Sequence, residues 1–265
     1  MTTPRLTAYQ QIIDKLFFRY HKKGRRQFEF PREALFDAAA AAGVSAPKNV
    51  GDVVYAFRYR ALLPASILAT APAGEHWIIE GVGRSRYRFR LTTQVLVTPT
   101  KGLFEIPIPD GTPEIIRRYA LTDEQALLAI VRYNRLVDIF TGTTAYPLQS
   151  HLRSNIAGVG QIEIDELYLA VSKRGTQYVI PVQAKGAKDR IGVVQTKQDF
   201  IFCRDRFPAL VTRPLAVQFS GGTVAMFELT VDAADGEVKI VEERHYRLVD
   251  AEAITDDLLK SLPDE

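Results

Sequence analysis

Apolar residues recur at helical spacing near the start of the chain, at Ile12, Ile13, Leu16, Phe17 and Tyr20, which predicts an amphipathic helix over 7–22. Phe28-Glu29-Phe30 alternates as a short strand. Pro31 then suits the first turn of a second helix, predicted over 31–42 and ended by Gly43. Behind Ser45-Ala46-Pro47 a third helix is predicted over 48–62, with Val50, Val53, Val54, Phe57 and Ala61 facing inward. Trp77 to Glu80 and Arg84 to Leu91 read as two strands joined by Gly81-Val82-Gly83. Proline and glycine crowd residues 98–113, a linker signal. Beyond it a helix is predicted over 122–140, with Thr122 as N-cap and Asp123 and Glu124 complementing its dipole. Strands follow near 143–153, 161–172 and 176–186, then a helix over 190–206. Further strands are expected at 212–219, 223–231 and 237–249, the first two joined at Gly221-Gly222.

This order describes an α+β chain. Its expected parts are a front domain over 1–95, a linker over 96–121, a back domain over 122–250 with a mixed sheet flanked by helices, and an acidic tail over 251–265. The front order of helix, strand, two helices and hairpin resembles a winged helix, a helix-turn-helix variant, on element order alone. A length of 265 residues lets each domain bury a core of its own. The single Cys203 leaves no disulfide framework, zinc ribbon or redox pair, and the four histidines lack metal-ligand spacing. With no apolar run near the roughly 18 residues of a membrane span and no signal-peptide pattern, a cytoplasmic protein without membrane partners is expected.

Charge divides the chain more sharply than composition does. The formal net charge is +3, yet residues 1–95 carry 15 Lys/Arg against 7 Asp/Glu, whereas residues 250–265 carry six acids and one lysine. A basic front joined to a near-neutral middle points to a polyanion as the partner of the front.

Two stretches carry candidate chemistry. Gln161 to Glu166 and Val182 to Lys185 alternate at period two, and Ser172-Lys173-Arg174-Gly175-Thr176 between them is a turn signal, so they read as a hairpin. Folded symmetrically about Arg174, that hairpin sets Asp165 opposite Gln183 and Glu163 opposite Lys185. Opposed Cβ atoms lie about 4.5–5.5 Å apart, so an acid, an amide, a second acid and an ammonium converge on one face. That is a hard-cation site with a lysine beside it. The same residues also fit an exposed hairpin with scattered charges, in which Lys185 merely pairs with Glu163.

An acid on one strand and acid-x-Lys on the next is the hallmark of the PD-(D/E)XK nuclease superfamily, which includes many restriction endonucleases. Asp165 with Gln183-Ala184-Lys185 resembles it, within a pattern of elements over 122–248. Ile164 stands at the Pro of the family's name, and Gln183 at its second acid, as in the Gln-x-Lys variant of Mrr-like members. The resemblance implies a restriction-endonuclease-like core and a Mg²⁺ held by Asp165, Gln183 and the Ala184 carbonyl. It implies that Lys185 orients or helps deprotonate the attacking water and stabilises transition-state charge. Glu163 would offset the charge missing at Gln183.

Arg84-Ser85-Arg86-Tyr87-Arg88-Phe89-Arg90 is the strongest basic signal, because period two sets four arginines on one strand face, about 6.6 Å apart. Four adjacent like charges repel, so a polyanion partner is favoured over a stabilising role. Arg25 and Arg26, with Lys22 and Lys23, form a second cluster that fits either phosphate contact or a solvated loop. Lys48, Asn49, Asp52, Tyr55 and Tyr59 lie off the core stripe of the third helix and fit either DNA contact or a plain surface, and Gln195, Lys197 and Gln198 on the later helix fit DNA contact and helix-surface polarity equally. Together these features point to a Mg²⁺-dependent endonuclease of double-stranded DNA, type II-like, with a preference for modified DNA as an option. Double-strand cleavage by one site per chain favours a homodimer. A repair or junction-cleaving nuclease and a non-catalytic DNA-binding regulator are the alternatives.

Overall fold

In the computed structural model, which describes residues 6–119, 124–187 and 189–262, the chain is α+β and divides into two units. The first comprises Met1–Leu96, Ser154–Ile162 and Gly192–Gln198; the second comprises Val97–Arg153, Glu163–Ile191 and Asp199–Glu265. The division at Leu96 falls one residue from the expected boundary, whereas the stretches 154–162 and 192–198, expected in the back domain, cluster with the front.

In the first unit, Thr7 and Gln10 close a capping box ahead of α1 (Ala8–Tyr20), with Thr7 N–H donating to Gln10 Oε1 at 2.8 Å. Then come β1 (Gln27–Pro31), α2 (Ala34–Ala42), α3 (Gly51–Tyr59), α4 (Ala65–Leu68), β2 (His76–Gly81) and β3 (Arg86–Thr92). Gly43 ends α2 at φ 67°, in the left-handed region that a Cβ disfavours. The sheet runs β1-β3-β2 and is antiparallel, pairing Phe28 and Ile79 with Phe89 from either side. Phe17, Phe28, Phe30, Trp77 and Phe89 stack around that register, and with Leu16, Val53 and Leu35 they form the core. The element order is the expected one, with α4 added.

Several local expectations are corrected. The third helix is shorter than 48–62, because the Asn49 side chain bonds locally and leaves Lys48 and Asn49 ahead of the first turn: Oδ1 accepts the Gly51 N–H and Nδ2 donates to Asp52. Arg84 is not on the strand, which begins at Arg86. Gly83 at φ 132° and Ser85 at φ 57° form the turn that carries it, so the four-arginine stripe is a three-arginine one.

Gly81 is closely packed against backbone: a Cβ there would stand 2.2 Å from the Val159 carbonyl oxygen. Gly81→Ala therefore has to push backbone against backbone, and is expected to destabilise by about 2 kcal/mol. Thermal denaturation should show a fall in Tm of roughly 5 °C.

The second unit opens at the end of β4 (Leu96–Val97), followed by β5 (Glu105–Pro109), α5 (Glu114–Tyr119), α6 (Glu124–Tyr133) and α7 (Leu136–Thr141). Next are β6 (Thr144–Ile156), β7 (Gly160–Val171), β8 (Gln177–Lys185), β9 (Ile191–Gly192) and α8 (Val193–Arg206), of which residues 154–156, 160–162 and 192–198 belong to the first unit. The chain closes with β10 (Val211–Thr212), β11 (Leu215–Ser220), β12 (Thr223–Val231), β13 (Val238–Val249), a 3₁₀ turn Ala251–Ala253 and α9 (Asp256–Ser261). The mixed sheet runs β5-β13-β12-β11-β8-β7-β6, with β10 beside β8. β11 and β8 are parallel, as are β13 and β5. Leu128, Val131, Leu136 and Phe140 of α6 and α7 pack on one sheet face, over Tyr168, Ile180, Val182 and Ala184.

The expected linker over 96–121 is not a linker throughout. Ile106 and Ile108 pack on the core from β5, and Pro107 and Pro109 fit because β5 is an edge strand. The single helix expected over 122–140 is two, broken where Arg135 takes φ 53° and buried Asn134 binds the Gly111 N–H and Thr112 Oγ1. Thr122 and Asp123, expected as cap and first-turn acid, lie outside the described residues, as does the Glu124 side chain.

Candidate active site

Ser172 N–H donates to Thr176 O at 3.0 Å and Gly175 takes φ 83°, so the turn between β7 and β8 forms where the sequence expects it. Paired positions run from Val171↔Gln177 to Glu166↔Val182, the register symmetric about Arg174. One step further, a side-chain bond joins the strands: Ala184 N–H donates to Asp165 Oδ2 at 2.9 Å. From there β8 continues beside β11, Val182↔Leu215 to Lys185↔Gln218.

Strand alternation turns Asp165, Gln183 and Lys185 to the face opposite Val182 and Ala184. Lys185 Nζ lies 3.7 Å from Asp165 Oδ2, and both side chains are largely buried, at 16 and 13 % exposed. Gln183 is buried and donates from Nε2 to Asp199 Oδ2 of α8 at 3.1 Å. Asp199 is 1 % exposed, and its Oδ1 is buried without a hydrogen-bond partner among the described residues. Burial pushes the Asp199 carboxyl well above its ordinary range, with Asp165 adding to the rise and the Gln183 bond and Lys185 opposing it. Glu163 lies at the exposed end of the hairpin, where its Oε1 accepts from Arg153 Nη2 at 3.1 Å and stands 3.7 Å from His151.

Among the described residues no three His, Cys, Asp or Glu side chains stand together as a metal cage. The hairpin offers a smaller set, the Asp165 carboxylate, the Gln183 amide and the Ala184 carbonyl, all hard oxygen donors. Mg²⁺ is commonly held by one or two carboxylates and keeps several waters, so one acid with neutral oxygens beside it is a donor set that suits it. The residues fit the ion.

On the other face of the same strand, Glu166 is 1 % exposed and takes the Tyr168 hydroxyl at 2.9 Å and Arg132 Nε at 2.8 Å. Burial raises its carboxyl above the ordinary range, with Arg132 and Tyr168 opposing. This network ties β7 to α6 at the residue next to Asp165.

The basic face of the first unit is less free than its sequence suggests. Glu80 lies across from Arg88 on β2, and Arg88 Nη2 donates to its Oε2 at 2.9 Å. Arg90 Nε at 3.3 Å and Lys197 Nζ at 3.0 Å both reach Oε1. Arg86 makes an exposed contact with Glu29 at 3.4 Å, worth little in water. Arg26 pairs with Glu75, Asn49 also accepts from Arg32 at 2.6 Å, and the Gln198 amide accepts from the Tyr59 hydroxyl at 2.9 Å. Arg25, Lys48 and Tyr55 are exposed, the last with the Arg60 guanidinium 5.0 Å from its ring centroid.

Two functional candidates escaped the sequence reading. Asp199 had a signal: it stands at three- and four-residue spacing from Thr196, Phe202 and Cys203, all buried, which is the inward stripe of α8. Glu80 had one too, alternating with Ile78 on the face opposite Trp77 and Ile79. Comparison with protein families, curated proteins and solved structures finds no match for the chain.

Proposed function

We propose that the protein is a Mg²⁺-dependent endonuclease of double-stranded DNA, type II-like, that acts in the cytoplasm as a homodimer. The observation that carries this reading is the convergence of Asp165, Gln183, Lys185 and Asp199 at the open end of the β7–β8 ladder, on the side expected from the PD-(D/E)XK resemblance. Two further features support it: the first unit has the element order of a winged helix, and its strand β3 carries Arg86, Arg88 and Arg90 on one face. No helix among the described residues is long and apolar enough to cross a membrane.

Asp165, the Gln183 amide oxygen and the Ala184 carbonyl would hold the cation, which when bound supplies Lewis acidity at the scissile phosphate and an activated water. The Ala184 N–H fixes the Asp165 carboxylate against rotation, a positioning bond built into the backbone. Lys185 adds a cation in a poorly solvated place, where its attraction for phosphate oxygens is stronger than in water. Incubation of the purified protein with supercoiled plasmid and Mg²⁺ tests this: nicked or linear product, abolished by chelator, is expected. DNA binding without cleavage would favour the regulator instead, and cleavage confined to branched substrates the junction nuclease.

DNA contact in this reading falls to the exposed cations rather than to the whole arginine run. Arg86→Ala is expected to flatten the slope of log K against log salt by about 0.9, the share of one phosphate contact. Arg90→Ala should leave the slope unchanged and lower Tm, because Arg90 is engaged by Glu80. Salt titrations of binding to a random duplex check both.

A further inference from the structure

The acid that the Gln-x-Lys pattern lacks on β8 has a counterpart on α8. Gln183 is 2 % exposed and Asp199 1 %, and 3.1 Å separates Gln183 Nε2 from Asp199 Oδ2. In that bond Gln183 Nε2 is the donor and Asp199 Oδ2 the acceptor, so the acid meets the NH₂ end of the facing amide. Asp199 therefore holds the NH₂ end of Gln183 and turns the carbonyl end away from itself. Without that anchor the buried amide has two near-equivalent orientations, and only one of them offers oxygen to a cation.

We propose that Asp199 is a positioning residue of the cation site, anchoring Gln183 so that its amide oxygen faces the cation, and that strand amide and helix acid together replace the missing strand acid. The inference rests on the cation site of the proposed nuclease, but its test does not need cleavage. Outer partners that orient metal ligands are worth about ten- to a hundredfold in metal affinity. Buried Asp199, with one oxygen unpartnered, costs the fold stability that a purely structural residue at this place would not.

The experiment exchanges acid and amide in the full chain, with Mg²⁺ or Mn²⁺ binding followed by calorimetry in the absence of DNA. Asp199→Asn is expected to weaken binding at least tenfold without lowering Tm, because Asn presents both an oxygen and an NH₂ to Gln183 and no longer selects its orientation. Adding Gln183→Glu to that variant should restore affinity to within about threefold, since the amide introduced on the helix can then donate to the carboxylate introduced on the strand. Unchanged affinity in Asp199→Asn would overturn the proposal. So would a loss that the exchange fails to restore, which would make Asp199 a direct ligand. The parent chain gives a check that needs no variant: a side-chain amide resonance of Gln183, protected from exchange, should move on Mg²⁺ addition. An unmoved resonance, or no cation binding by the parent chain, removes the positioning role. Binding with the expected pattern but no DNA cleavage removes the nuclease reading alone.

Discussion

Replacing Lys185 with Ala, or Asp165 with Asn, is expected to slow Mg²⁺-dependent DNA cleavage by at least about a hundredfold while leaving DNA affinity within a factor of a few. Both side chains belong to the second unit and the basic strand face to the first, so binding and chemistry are separable. The choice of Asn matters. Asp165 Oδ2 is the acceptor for the Ala184 N–H, and Ala184 is fully buried. Asp165→Ala leaves that donor unsatisfied, a penalty of about 1–3 kcal/mol, so its inactivity would mix misfolding with lost chemistry. Asn keeps the acceptor oxygen and removes only the charge. Lys185→Ala removes a cation 3.7 Å from the carboxylate. Single-turnover cleavage with Mg²⁺, duplex affinity without it, and Tm of each variant make the measurement. Cleavage within about threefold of the parent by either variant would withdraw its catalytic role.

The hairpin was legible because its signals are local: period-two alternation on both arms and Gly175 in the turn leave one register, and the observed pairs keep it. Spacing also revealed α1, α2 and most strands of the back unit, since their apolar positions meet cores assembled from near neighbours. What stayed hidden was set by contacts distant in sequence. Glu105 to Pro109 looks like a linker because prolines interrupt it, and it becomes a strand only because β13, far along the chain, leaves an edge to fill. Asp199 looks like one polar residue on a helix until β8 brings Gln183 against it. The arginine run misled for the same reason. Period two gives the face each arginine shares, but not that Glu80 of the neighbouring strand and Lys197 stand on it.

Glu80→Gln is therefore expected to act in two opposite directions, lowering the stability of the protein while raising its affinity for DNA. One carboxylate, 7 % exposed, answers Arg88, Arg90 and Lys197. Burial alone would raise its carboxyl, but the charges of Lys197 and Arg90, with hydrogen bonds from Lys197 and Arg88, hold it below its ordinary value near 4.5. Gln fills the same space without charge and leaves three cations facing one another in a partly dry site. Breaking a buried ion pair from one side costs about 3–5 kcal/mol, and the partial exposure of the cations places this case near 3. The pH dependence fixes the sign. An acid with a lowered folded value stabilises the fold above its ordinary titration range, and that contribution is lost as pH falls through the lowered value. The Tm gap between parent and Glu80→Gln should be full at neutral pH and close as the solution is acidified below the ordinary value near 4.5. In the folded variant Arg88 is released toward solvent, so the slope of log K against log salt should steepen by about 0.9 for each phosphate it gains. A Tm loss with an unchanged slope would show that the released arginines do not face DNA, and the first unit would then dock through Arg86, Arg25 and Lys48 alone.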